Sequence, residues 1–137
     1  MADRIRRIDY FYTQVPDSPG EAFRLLSSLK EAGVNLLAFS AFPAPGNKSQ
    51  LDLVPDNADV LVQATRKAGI TLSEKKQGFL IDGADRPGAV ADVLKRLSDA
   101  KINVTAVDAV CSGGGRYGAI LWVKPSSLDA AAKALGA

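Results

Sequence analysis

The feature that most constrains this chain is that it repeats itself. Asp17-Ser18-Pro19-Gly20 aligns with Asp85-Arg86-Pro87-Gly88, and reading onward without a gap keeps the two segments in register. Ala22, Leu25, Leu26, Leu29 and Ala32 fall on Val90, Val93, Leu94, Leu97 and Ala100, and both sets have the spacing of an amphipathic helix. Both helices then run into matching exits, Val34-Asn35-Leu36 and Ile102-Asn103-Val104.

A β-rich run precedes each helix, residues 8–15 and 78–83, and another follows it, residues 35–42 and 103–111. Turn-forming stretches come next, Pro43-Ala44-Pro45-Gly46-Asn47 and Ser112-Gly113-Gly114-Gly115-Arg116, then third strands at residues 50–54 and 117–123. Pro55 and Pro125 end those strands. A second helix is begun by Asp56 or Ser126, with Asp59 or Asp129 three residues later to complement the helix dipole. The pattern βαββα therefore occurs twice, and we divide the chain at residues 1–73 and 74–137.

The fold class that follows is α+β: two tandem ferredoxin-like (βαββαβ) units with antiparallel sheets and helices on one face, because crossovers of one hand leave both helices on the same side. In the first unit Ile70-Thr71-Leu72 offers a fourth strand, whereas the second stops at Ala137 without one of its own. A bare edge is a template for another strand, so we expect the N-terminal arm or a second chain to cover it.

Composition narrows the chemistry. There is one cysteine and no histidine, which leaves no intrachain disulfide, no cysteine/histidine zinc site and no histidine-dependent triad. We expect no cofactor and no metal. Seventeen basic and 15 acidic residues are spread along the chain with a net charge of +2, so no nucleic-acid footprint stands out, and Arg4, Arg6 and Arg7 read as a solvated arm. No apolar run approaches the ~18 residues that span a bilayer and no leader is evident. The expected location is cytoplasmic, away from membranes.

Ser18-Pro19-Gly20-Glu21 has the form of a capping box, with serine at N-cap and glutamate at N3. In the second copy arginine takes the N-cap place, where it adds positive charge to the positive end of the helix. That leaves free amides beside a guanidinium, a setting suited to a carboxylate, unless Asp85 shifts the cap back by one. Gly20 and Gly88 in the first turn imply either close approach of a ligand or tight packing of the helix start. Asn35 and Asn103 either close a turn on their own backbone or face a ligand. Residues 112–115 read as a hairpin loop, since a phosphate cradle would need a helix after it. Trp122 reads as core or interface, and Cys111 as a buried small hydrophobe.

With the repeat, the Asp-x-Pro-Gly turn and the asparagine before strand two in place, the chain resembles tandem ACT domain proteins over nearly its whole length. The resemblance implies a regulatory, amino-acid-binding module whose units pair side by side, with ligand between the first loop of one unit and the start of strand two of its neighbour. By position it nominates Asp85, Arg86, Gly88, Ala89, Val90 and Asn103, with Asp17, Ser18, Gly20, Glu21 and Asn35 as first-copy counterparts. It further implies a homodimer and a metabolic enzyme as partner, since ACT units are commonly attached to enzymes such as aspartate kinases and phosphoglycerate dehydrogenases. Glu21, in the place of Ala89, would repel a ligand carboxylate from the first site. Two other readings stand beside this one. One is a small enzyme on a ferredoxin-like scaffold, for which Asp82, Asp85, Arg86 and Asp108 are the clustered ionisable groups. The other is an assembly module for a partner enzyme that binds no ligand.

Overall fold

The computed structural model describes residues 3–137. The elements run β1 (Arg4–Pro16), α1 (Glu21–Glu31), β2 (Leu36–Ala44), β3 (Lys48–Pro55), α2 (Ala58–Ala68), β4 (Lys76–Ala84), α3 (Ala89–Asp99), β5 (Ala106–Val110), β6 (Arg116–Trp122) and α4 (Leu128–Leu135). They form two compact units: Asp9–Lys76, the first repeat, and Gln77–Ala137 together with the chain up to Ile8, the second.

The first repeat orders its strands β2-β3-β1. Both pairs are antiparallel, with Phe11 opposite Leu53 and Ala41 opposite Leu51. Alternation along β1 and β3 turns Phe11, Leu51 and Leu53 to one face, where they pack with Leu25 and Leu29 of α1 and Leu61 of α2. The second repeat orders its strands β1-β4-β6-β5, with Phe79 opposite Leu121 and Ala109 opposite Ala119. Phe79, Ile81, Ala119 and Leu121 pack there with Val93 and Leu97 of α3 and Ala131 and Leu135 of α4. Each buried Val, Leu, Ile or Phe side chain among these, removed from water, stabilises its unit by ~1.5–3 kcal/mol. Ala32 and Ala100, the last members of the expected helical stripes, are exposed at the C-caps of α1 and α3.

The expected bare edge is covered by the chain's own N-terminal segment. The head of β1 lies beside β4 as the fourth strand of the second repeat. Arg4, Arg6 and Arg7 are therefore part of a strand and not a solvated arm. Arg7 also donates to the Asp129 carboxylate of α4 at 3.0 Å and to the Leu128 carbonyl at 3.5 Å.

The fourth strand expected at Ile70-Thr71-Leu72 is not formed as a strand. The segment runs beside β1, but side chains take the place of a ladder. The Ser73 amide donates to the Tyr12 carbonyl (2.8 Å), the Tyr12 amide to the Ser73 hydroxyl (2.9 Å) and the Thr13 hydroxyl to the Thr71 carbonyl (2.7 Å).

The helix starts also differ from expectation. α1 begins at Glu21 after Gly20 (φ 89°), and α3 at Ala89 after Gly88 (φ 79°), neither with a side-chain cap. The serine–glutamate capping box does not form. Instead the Glu21 carboxylate holds Arg24 at 3.1 Å. Nothing approaches within 4 Å of a side chain built at either glycine, so left-handed backbone, and not space, is what these positions require. α2 is capped by Asn57 and not Asp56, its side chain accepting from the amides of Asp59 and Val60 (3.0 and 3.3 Å). α4 starts after a short 3-10 turn, Pro125–Ser127.

Candidate functional site

The turn from β4 into α3 forms one wall of a cavity of about 300 Å³ in the second repeat. Asp85, Arg86, Gly88, Ala89, Val90 and Ala91 come from this turn, Ala109, Val110 and Cys111 from the end of β5, and Tyr117 from β6. Five of the six residues nominated in this repeat are thus brought together. Asn103 is not. It is exposed in the segment before β5 and does not line the cavity.

The turn is shaped by its sequence. Pro87 and Gly88 complete a tight bend in which the Ala89 amide reaches the Arg86 carbonyl at 3.2 Å. The first turn of α3 has no side-chain cap, so amides that an N-cap would satisfy face outward at the positive end of an 11-residue helix.

The Arg86 side chain does not reach toward the cavity's mouth as a free cation. Its NH1 donates to Asp3 Oδ1 (3.2 Å) and the Ala84 carbonyl (3.0 Å), and its NH2 to Asp3 Oδ2 (3.4 Å) and Asp92 Oδ2 (3.0 Å). Asp3 precedes β1, and its side chain is only 3% exposed, against 33% for Arg86 and 64% for Asp92. Burial alone would raise the Asp3 pKa, but the Arg86 guanidinium, with the Tyr117 hydroxyl and the charge of Arg96, outweighs it and holds the carboxyl below its usual range. Gly83 makes room for this pair, since a side chain there would overlap the Asp3 carboxylate and come within 2.8 Å of the Tyr117 ring.

Tyr117 is 5% exposed, and its hydroxyl completes no hydrogen bond of good geometry. Burial, then the nearby Asp3 carboxylate, pushes its pKa up to about 12. It therefore stays a neutral O–H beside the Asp3 carboxylate. Cys111, expected to be buried, is exposed and lines the cavity beyond the end of β5.

The counterpart turn in the first repeat is built differently. Asp17 accepts from the Ser49 hydroxyl at 3.2 Å. Ser18, Gly20 and Asn35 are exposed, and Glu21 is half-buried and paired with Arg24. A cleft of about 580 Å³ in this repeat lies elsewhere, between the second half of β1 and residues 69–73.

Sequence reasoning missed Asp3, Asp92 and Tyr117. Only Asp92 carried a signal, being an acid in the first turn of a helix that follows an arginine. The ionisable groups considered for catalysis do not converge, because Asp82 is paired with Arg116 at 2.9 Å while Arg86 is held by Asp3 and Asp92. Among the described residues no cluster of acidic or sulfur side chains is arranged to hold a metal ion, and no helix is long and apolar enough to cross a membrane.

No protein-family model matches the chain, and no curated protein sequence does. Solved structures do. A protein from Bacteroides thetaiotaomicron superposes with a TM-score of 0.83 at 14% identity, covering 96% of this chain and 88% of that one. The ligand-free regulatory subunit of aspartate kinase from Thermus thermophilus gives 0.65 at 16% identity, with coverage of 98% and 94%. The corresponding subunit from Thermus flavus gives 0.63 at 17%, again covering 98% and 94%. At such identities the likeness is one of fold, and that fold is ACT-like.

Proposed function

We propose that the chain is a regulatory module that binds a small molecule, an amino acid, in the second repeat, and that it is not itself an enzyme. One observation carries this reading. The start of α3, which no side chain caps, lines a cavity of about 300 Å³ together with Asp85 and the apolar end of β5. An α-carboxylate there accepts from first-turn amides of α3, with the helix dipole in its favour. Asp85, exposed at the rim, is placed to take the ammonium group, and Ala89, Val90, Ala109 and Val110 form apolar walls for the side chain. That structurally similar chains are regulatory subunits of aspartate kinase supports the regulatory part of the reading.

The cavity opens beside β5, the last strand of its sheet, where Val110 is 70% exposed. We place the ligand at a seam between two copies of the chain, a homodimer in which a neighbour closes this side. A metabolic enzyme is the partner that such a module would regulate. A ligand that binds only the folded form raises its apparent stability, by ~2.7 kcal/mol at a hundred times its Kd. A thermal-shift screen of the chain against the twenty amino acids is the test. At least one should raise the melting temperature by several degrees, and Ala109→Trp, which fills the cavity, should abolish the shift. Twenty flat traces, matched by no heat in calorimetry, would refute the reading.

A further inference from the structure

We propose that Asp3, from the head of the chain, is the specificity-determining residue of this cavity. By engaging Arg86 from the side away from the ligand it makes a site for a zwitterion with a short aliphatic side chain, and a poor site for a ligand with a second carboxylate. The inference rests on the amino-acid reading above and adds the ligand's charge class to it.

The geometry is that of an internal counter-ion. Both oxygens of Asp3 face the guanidinium, at 3.2 and 3.4 Å, while the Ala84 carbonyl and Asp92 take the other N–H groups of its two terminal nitrogens at 3.0 Å each. Fork-on-fork arginine–carboxylate pairs are among the stronger and more directional hydrogen-bonded contacts a protein makes. With its side chain 3% exposed, Asp3 does not exchange this partner for water as a surface residue would. Of the residues that line the cavity, Arg86 is the cation. Two carboxylates, Asp3 and Asp92, thus hold this one guanidinium, while a third, Asp85, lines the cavity.

Such a site discriminates by charge. An α-carboxylate still has the α3 amides, and an ammonium group has Asp85. A side-chain carboxylate has no free cation left to meet, and it faces Asp85 on the lining with Asp3 and Asp92 behind Arg86. The size of the cavity and the Ala and Val side chains of its walls suit a small aliphatic group.

The test measures dissociation constants of L-valine and L-aspartate by calorimetry, for the full chain and for its D3N and D92N variants, and compares their ratio. For the unaltered chain valine should bind at least about tenfold more tightly than aspartate. D3N removes one negative charge and the bidentate partner of Arg86. It should shift the ratio toward aspartate by about tenfold, the effect of one charge-assisted contact. D92N acts on an exposed partner and should shift it the same way by about threefold, which keeps the test decisive if D3N does not fold. Valine binding with an unshifted ratio in the folded variants would overturn the role of Asp3 and leave the amino-acid site standing. Tighter binding of aspartate than of valine by the unaltered chain would do the same. If neither probe binds and the twenty-amino-acid screen is flat, the site itself is refuted and this inference with it.

Discussion

Replacing Gly83 by alanine isolates the contact on which the geometry of the cavity depends. Gly83 does not have a positive φ, so the backbone accepts the change without strain and only the methyl group matters. That methyl would overlap the Asp3 carboxylate and approach Tyr117 Cε1 to 2.8 Å, so the Asp3 side chain must leave and the ring must shift. Breaking a buried ion pair costs ~3–5 kcal/mol. Arg86 is one-third exposed and keeps Asp92 and the Ala84 carbonyl, which brings the loss here to about 2–3 kcal/mol. Displacing the ring adds about 1 kcal/mol, for a total of ~3–4 kcal/mol. Urea denaturation followed by the fluorescence of Trp122, the chain's one tryptophan, reads this directly, because Trp122 is buried in β6 of the same repeat. With Asp3→Ala already in place the carboxylate is gone, and Gly83→Ala should cost only about 1 kcal/mol, a coupling of about 2–3 kcal/mol. Additivity of the two substitutions within ~0.5 kcal/mol would show that the methyl group and the carboxylate do not compete for one space.

Three further outcomes follow from the same structure. Lys101 has φ 59° at the position after the C-cap of α3, where the first repeat has Gly33 at φ 78°, so Lys101→Gly should stabilise the second repeat by ~0.5–1 kcal/mol in the same denaturation assay. Tyr117 releases its proton near 10 when unfolded and near about 12 when folded, so the unfolded chain binds fewer protons between these values and stability falls as pH rises through that window. Tyr117→Phe should remove that loss in an alkaline titration of the Trp122 signal, and equal slopes in both proteins would refute the assignment. Calorimetry should give one bound amino acid per chain and not two, since Glu21 sets a carboxylate at the first helix start where the second repeat has Ala89.

What could be read from the sequence was what repeats at short range. The stripe of Leu25 and Leu29, matched by Val93 and Leu97, defines both helices and both cores because burial enforces the helical period. The Asp85-to-Val90 turn was legible as a bend because proline and glycine fix its backbone locally. Helix starts were less so. Ser18 and Glu21 fit a capping box in spacing, but the positive φ of Gly20 moves the helix start past serine, and spacing carries no record of φ. The segment 70–72 has β-forming composition, yet Thr13 and Ser73 side chains satisfy the backbone there without a ladder. The partner of Arg86 was out of reach of any local pattern, since Asp3 lies 83 positions away.

The same Asp-x-Pro-Gly bend leads to different chemistry in the two repeats because of what meets the helix start. In the first, the acid at the first helical position folds back on Arg24. In the second that position is Ala89, 7% exposed and without charge, and the acid that answers the helix and the arginine comes instead from Asp92, one turn on, and from Asp3, brought in by the chain's own leading strand. The helix start of the second repeat is thus left open on the cavity side while its arginine is neutralised from behind. In the proposed site an anion would meet main-chain amides, whose geometry is fixed by the fold, in place of a mobile side-chain cation. Recognition by fixed dipoles favours a group of one shape, a carboxylate, and leaves discrimination among carboxylates to the walls and to the acids around them.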